Sequence, residues 1–208
     1  MGLVISLCDY TGNIVKPWLE AGHKCVIVDI QHATGKVQEG NLVRLGFRVE
    51  ELRNSFSDES LASAIVFAFP PCTDVAVTGA KHFQSKGLSA LIRSLTTLEA
   101  CISIAERGKA WCIENPVSTF SSYWRKPDHI IHPFQYASQS DNYANEAYSK
   151  RTCLWVGGGF IVPKATDSFN INPHYIHYLG SAGQAERSVT PLGFAYAVYA
   201  ANKHLLET

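Results

Sequence analysis

Two apolar, β-rich runs, at residues 3–8 and 24–30, flank a stretch at residues 14–22 whose apolar positions recur at helical spacing. Strand, short helix and strand in that order read as a βαβ unit, which sets the two strands parallel with a right-handed crossover. The chain keeps alternating in this way. Residues 47–52 suggest a short strand and 58–64 a short helix, and the nearly continuous apolar run 65–69 suggests a strand buried on both faces. Leu88, Leu91, Ile92, Leu95, Leu98, Ile102 and Ala105 recur at helical spacing, with Gly108 placed to end that helix, and are expected to be core. Residues 110–113 and 152–156 read as further strands, the latter followed by Gly157-Gly158-Gly159. Thr190 and Pro191 offer an N-cap and a first residue to a closing helix with Phe194, Ala197, Val198, Ala201 and Leu205 on its apolar side. Residues 32–41 read as a polar loop, 121–149 as a long surface excursion and 161–186 as irregular. The expected fold is α/β: one doubly wound, mostly parallel sheet in a single domain over residues 1–208.

Composition narrows the classes. Lys plus Arg equals Asp plus Glu at 18 each, so no global field draws a polyanion. Lys81, Lys86, Arg93, Lys109, Arg125, Lys126, Lys150 and Arg151 nevertheless all fall mid-chain and form a candidate basic face. No run reads as apolar enough for long enough to span a bilayer, and residues 1–7 lack a basic leader and read as a strand. The six cysteines are widely spaced without a Cys-x-x-Cys pair, which argues against a zinc ribbon or disulfide framework and points to a reducing, cytoplasmic setting. His129/His132 and His174/His177 lack the further ligands a tetrahedral metal needs and are expected to be surface histidines; no metal is expected. Gly35-Lys36 lacks the upstream glycine and feeding strand of a phosphate-binding loop.

The chemistry concentrates at two strand ends. Pro70-Pro71-Cys72 follows the run 65–69, and two prolines there make a stiff, exposed loop. A thiol on such a loop sits at the rim of the sheet, where α/β proteins bind ligands, and thiolate is a soft nucleophile. Any single cysteine is more often a small buried hydrophobe. Glu114-Asn115-Pro116 shifts that balance, because it repeats the strand-then-proline construction and supplies a carboxyl group. Ser6-Leu7-Cys8-Asp9-Tyr10-Thr11-Gly12-Asn13 follows the first strand and opens a helix, a place suited to a nucleotide-like ligand. Asp29, at the tip of the second strand, can accept hydrogen bonds from ribose hydroxyls.

Taken in order, residues 6–13, Asp29, residues 69–74, Glu114-Asn115-Pro116, Lys150-Arg151-Thr152 and residues 187–191 resemble the 5-cytosine DNA methyltransferase family, in the short forms common in phages and prophages. The resemblance implies a Rossmann-like fold that binds S-adenosyl-L-methionine, and a DNA partner whose target base is turned out of the stack. It makes Cys72 the nucleophile that adds to cytosine C6, Glu114 the acid at N3 and Arg151 the contact to O2. It places Leu7, Cys8, Asp9, Thr11, Gly12, Asn13, Asp29, Ile30, Phe69, Pro70 and Thr190 around the cofactor, with Glu51 (or its neighbour Glu50) beside the adenine. Pro71, Thr73, Asp74, Asn115, Lys150 and Arg187 are implied to face the substrate, Lys150 through a phosphate. Two departures stand out. Ser6 and Tyr10 occupy places where the family carries an acidic residue and glycine, and residues 157–186 are too few for a target-recognition domain. Relaxed or short sequence specificity, or a partner protein that supplies recognition, is therefore expected. RNA or a free cytosine nucleotide as substrate, and a degenerate nucleic-acid-binding protein, are the competing readings.

Overall fold

The computed structural model describes residues 1–166 and 188–207. Eight strands form one sheet: β1 (Leu3–Leu7), β2 (Lys24–Val28), β3 (Gly35–Glu39), β4 (Leu42–Gly46), β5 (Ala64–Ala68), β6 (Ala110–Pro116), β7 (His129–Ile131) and β8 (Thr152–Gly157). Their order is β3-β4-β2-β1-β5-β6-β8-β7. Strands β4, β2, β1, β5 and β6 run parallel, whereas β3 pairs antiparallel with β4, and β8 antiparallel with both β6 and β7. The chain therefore winds outward from β1 through β2 to β4, then returns to the other side of β1 at β5. A mostly parallel α/β sheet, compatible with a Rossmann-like fold, is what the alternation predicts.

Side-chain alternation along β1 sends Ile5 and Leu7 to one core and Val4 to the other. Helix α3 (Phe83–Ala105) covers the first face with Leu98, Cys101 and Ile104; α1 (Lys16–Glu20) and α6 (Leu192–Asn202) cover the second with Trp18, Phe194 and Val198. Because both faces are covered, every residue of β5 is buried, which is why that segment reads as an unbroken apolar run. The short helices α2 (Asp58–Ala62), α4 (Phe120–Tyr123) and α5 (Tyr143–Glu146) complete the α-helices among the described residues.

Several expectations need correction. Residues 47–52 are not a strand: Val49–Leu52 is a 3-10 turn, with Val49 and Leu52 buried three residues apart. The strand lies earlier, in β4, and residues 35–39 of the supposed polar loop form β3. That edge strand is held by its backbone ladder and exposes almost every side chain, so its polar sequence carries no strand signal. Residues 121–149 are not a surface excursion. They contain α4 in part, β7, the 3-10 segment Pro133–Gln139 and α5, and they bury Ile131, Tyr136, Ala137, Ala147 and Tyr148.

The apolar stripe of α3 is core in part: Leu91, Leu95, Leu98, Ile102 and Ala105 join the core, whereas Leu88 and Ile92 are 77% and 61% exposed. Gly87, at φ 72°, breaks the helix, so its regular stretch is residues 88–105, roughly 27 Å at about 1.5 Å per residue against roughly 17 Å for the five-residue strands it covers. By length and composition, Val77–Ala105 could cross a bilayer, contrary to expectation, but its apolarity is partly used in the core through Leu98, Ala100, Cys101, Ile104 and Ala105.

The closing helix is not capped by Thr190. Pro191 is the N-cap residue, and the orphan amides of Leu192 and Gly193 donate instead to Glu146, at 2.8 and 2.7 Å. Glu146 is a buried carboxylate, reached also by Ser140 Oγ at 3.2 Å, and it belongs to an element nearly fifty residues earlier in the chain. Gly193 makes the close approach possible, because a Cβ there would stand 2.2 Å from the Tyr136 carbonyl oxygen. Glu146→Ala is expected to cost about 2–3 kcal/mol, as charge-assisted bonds to buried amides are lost. Gly193→Ala should be at least as damaging, and urea denaturation of both variants checks this.

Candidate active site

The carboxyl ends of β1 and β5 are where the winding direction reverses, and open α/β sheets bind ligands at such a switch point. The first loop leaves β1 through Cys8, which has φ 55°, the sole positive value at a non-glycine position among the described residues. Asp9 then fills the loop from inside. Its carboxylate accepts from Ser6 Oγ at 2.7 Å, the Gly12 amide at 2.8 Å and Thr11 Oγ1 at 3.3 Å. Burial pushes the Asp9 carboxyl upward, and those three hydrogen bonds oppose the shift. Gly12, at φ 72°, makes the turn into the helical segment.

This arrangement has an electrostatic sense. The Gly12 amide, which could have met a phosphate, is already bonded to a carboxylate. The Cys8 thiol is pushed well up by its contact with Cys101, by burial, and by the charges of Asp29 and Glu50. Asp9, Asp29 and Glu50 thus make a carboxylate-rich loop, unfavourable to phosphate and favourable to a neutral or cationic ligand. Around it stand Ile30, 65% exposed, and Tyr10, 54% exposed with its ring 5.3 Å from that of His32. His32 Nε2 lies 3.2 Å from the Asp9 carbonyl. Asp29 stands at the end of β2, and its Oδ1 accepts from the Gln31 amide at 2.8 Å. Leu7 is wholly buried, and its carbonyl is occupied by the Phe69 amide at 2.9 Å. Glu51 is turned aside: exposed, it accepts from the Arg48 amide at 3.0 Å within the 3-10 turn. Glu50, held by Thr97 Oγ1, is the neighbour that faces Cys8.

The cysteine loop is anchored from the next strand. Past Ala68 and Ile113 the β5–β6 ladder stops, and Asn115 Nδ2 donates to the Pro70 carbonyl at 2.7 Å. Asn115 Oδ1 is buried with no donor among the described residues. Downstream, the Cys72 carbonyl accepts from the amides of Val75 and Ala76 at 3.1 and 2.9 Å. Residues 75–77 then zip against 117–119 through Val77 N–Val117 O and Thr119 N–Val75 O, each 3.0 Å. On the outside, Lys86 Nζ donates to the Thr73 carbonyl at 2.6 Å and pairs with Asp74 at 2.9 Å, just before α3 kinks at Gly87. Cys72 is half-buried and outside any disulfide, between the buried Pro70 and the exposed Pro71 and Thr73.

Glu114, Asn115 and Pro116 lie within the end of β6, not in a loop beyond it, because antiparallel β8 runs alongside and pairs Pro116 with Thr152. Glu114 opens into a pocket of about 380 Å³, mouth included, shared with Phe69, Lys150, Thr152, Thr190 and Phe194. Burial raises the Glu114 carboxyl above its ordinary value, and the Lys150 charge pulls the other way. Thr190 joins pocket to first loop, since its carbonyl accepts from Asn13 Nδ2 at 2.9 Å. Arg151 does not enter this pocket. It is exposed, and its charge acts on His132 and Cys153. Arg187, His174 and His177 lie outside the described residues. Sequence reasoning missed Glu146 and placed Lys86 only in a candidate basic face, since their roles rest on contacts that no local pattern announces.

Thiol chemistry gives a direct check of this geometry. Burial pushes Cys25 up to about 12, raises Cys112 further, and raises Cys153 as well; Cys101 is buried. Iodoacetamide at pH 8 is therefore expected to label Cys72 of the folded protein first, as read by peptide mass mapping. Faster labelling of Cys25 or Cys112 would contradict the packing described. No protein-family model matches this chain, and no curated protein matches its sequence.

Proposed function

We propose that this protein methylates C5 of cytosine in DNA, using S-adenosyl-L-methionine and a covalent adduct between Cys72 Sγ and cytosine C6. The observation that carries the reading is the Asn115–Pro70 hydrogen bond, which joins a thiol loop and a raised-pKa carboxyl strand beside a carboxylate-rich switch-point loop. The first loop fits the cofactor by its chemistry. Ammonium and sulfonium charges suit the Asp9, Asp29 and Glu50 surroundings, ribose hydroxyls suit Asp29, and an adenine ring suits the exposed Ile30 and Tyr10. When bound there, the cofactor supplies an electrophilic methyl group.

The chain's own residues prepare the base to receive it. Cys72 thiolate forms the Sγ–C6 bond, and the C5=C6 electron pair moves toward C5 and N3. Glu114, whose neutral form burial favours, gives its proton to N3, so negative charge does not accumulate on the ring. C5 is then electron-rich. Once C5 has taken the methyl group, a solvent base removes the C5 proton, C5=C6 re-forms with Cys72 leaving as thiolate, and N3 returns its proton to the Glu114 carboxylate. With so few residues between β8 and α6 for base readout, the specificity proposed is short, or is completed by a partner protein.

Tritiated methyl transfer with DNA, RNA and cytidine monophosphate side by side tests this. Transfer to DNA is expected, falling to background in Cys72→Ser and by about 10²–10⁴-fold in Glu114→Gln. DNA carrying 5-fluorocytosine should trap a covalent complex that Cys72→Ser abolishes. Transfer to RNA or nucleotide alone would move the substrate, and no transfer with no cofactor binding would overturn the reading. The pH dependence has a defined sign. Glu114's contribution to stability is full below its ordinary value of 4.5 and is lost as pH rises through its raised value. Activity should lose the proton donor over the same upper range, and Glu114→Gln should flatten that limb of both profiles.

A further inference from the structure

Resting on the cytosine reading, we propose that Lys150, not Arg151, is the cation of the reaction pocket, donating from Nζ to O2 of the target base. Successive side chains of extended backbone point to opposite faces, so residues two apart share a face. Lys150 and Thr152 both line the pocket with Glu114, and Arg151 between them does not. Thr152 fixes this phase, because it is paired on one side with Pro116 of β6 and on the other with Ile131 of β7. Its hydroxyl also donates to the Lys150 carbonyl at 3.3 Å, tying Lys150 to the strand's register.

Arg151's surroundings agree with this placement. It is exposed, and its charge is felt at His132 and at Cys153, two residues on, and is not among those acting on Glu114. Lys150 is half-buried, and it is the cation whose charge reaches Glu114. A slip of one residue in register would exchange the two side chains, but the two-sided pairing of Thr152 opposes it.

The chemistry gives Lys150 its task. When Sγ bonds to C6, electron density moves onto N3 and O2. Glu114 answers at N3 with a proton, and an ammonium at O2 stabilises the charge that remains, with no proton transferred from it. A preorganised cation aimed at developing charge acts chiefly in the transition state, so its loss should lower the rate of adduct formation more than substrate binding. A lysine can do this as a point charge, without the planar fork of arginine.

The test compares Lys150→Met, Lys150→Arg and Arg151→Met in single-turnover adduct formation on 5-fluorocytosine DNA. Lys150→Met is expected to slow the adduct by about 10²–10³-fold, with partial recovery in Lys150→Arg. Its alkaline limb should move to higher pH, because Glu114 has lost the charge that favoured ionisation. Arg151→Met should be at least tenfold less harmful than Lys150→Met. The reverse ranking would overturn the proposal. Carboxyl-resolved NMR titration of Glu114 gives a readout independent of turnover. Lys150→Met should raise its midpoint and Arg151→Met should not. A midpoint that responds to Arg151 alone would defeat the assignment. If the wild-type chain forms no adduct, the methylation reading falls and the titration still decides which cation faces Glu114.

Discussion

The Asn115 amide bonded to the Pro70 carbonyl is the constraint on which the site depends. Two consecutive prolines have no N–H to offer, so between the Phe69 amide, which bonds to Leu7, and the Cys72 amide the loop has no backbone donor of its own. Only its carbonyls are available, and the donor must come from elsewhere. Asn115 supplies it from inside, at 2.7 Å and almost wholly buried, just beyond the last ladder pair of β5 and β6. Breaking that bond would strand a buried carbonyl at a cost of about 1–3 kcal/mol and would release the loop that presents the thiol.

A second constraint works by charge. Filling the first loop with the Asp9 carboxylate rather than leaving its amides open changes what that common α/β location can accept. A dinucleotide-binding loop offers amides to a pyrophosphate. Here the turn to Gly12 is kept while the preference in charge is reversed. That reversal separates this site from a generic nucleotide fold more clearly than its strand order does.

Where the sequence was informative, physics made its signal local. Buried parallel strands must be apolar on both faces, so β1, β2 and β5 are visible as runs, and proline after a strand marks the rim where Cys72 and Glu114 lie. The hairpin of β3 and β4 escaped because an exposed edge strand needs only backbone pairing and tolerates Lys36, Gln38 and Glu39. Residues 47–52 misled because apolar spacing over so few residues does not separate a strand from a single helical turn. Glu50 and Glu51, like Lys150 and Arg151, are adjacent residues of one chemical class. Which of each pair faces the site depends on the phase of a turn or strand, and that phase is set by pairing partners far along the chain.

The bond between Asn13 and Thr190 spans 177 residues and ties the first loop to the wall of the Glu114 pocket. A ribosome delivers the two ends of that contact at very different times. The cysteine loop can take its anchor once β6 has delivered Asn115, while the remainder is still being synthesised. The pocket wall cannot, because it is built from the segment that leads into the closing helix. A nascent or truncated chain would therefore carry a thiol loop without its reaction chamber. Such long-range closure slows folding, and it also makes synthesis of the last segment a condition for closing the Glu114 pocket.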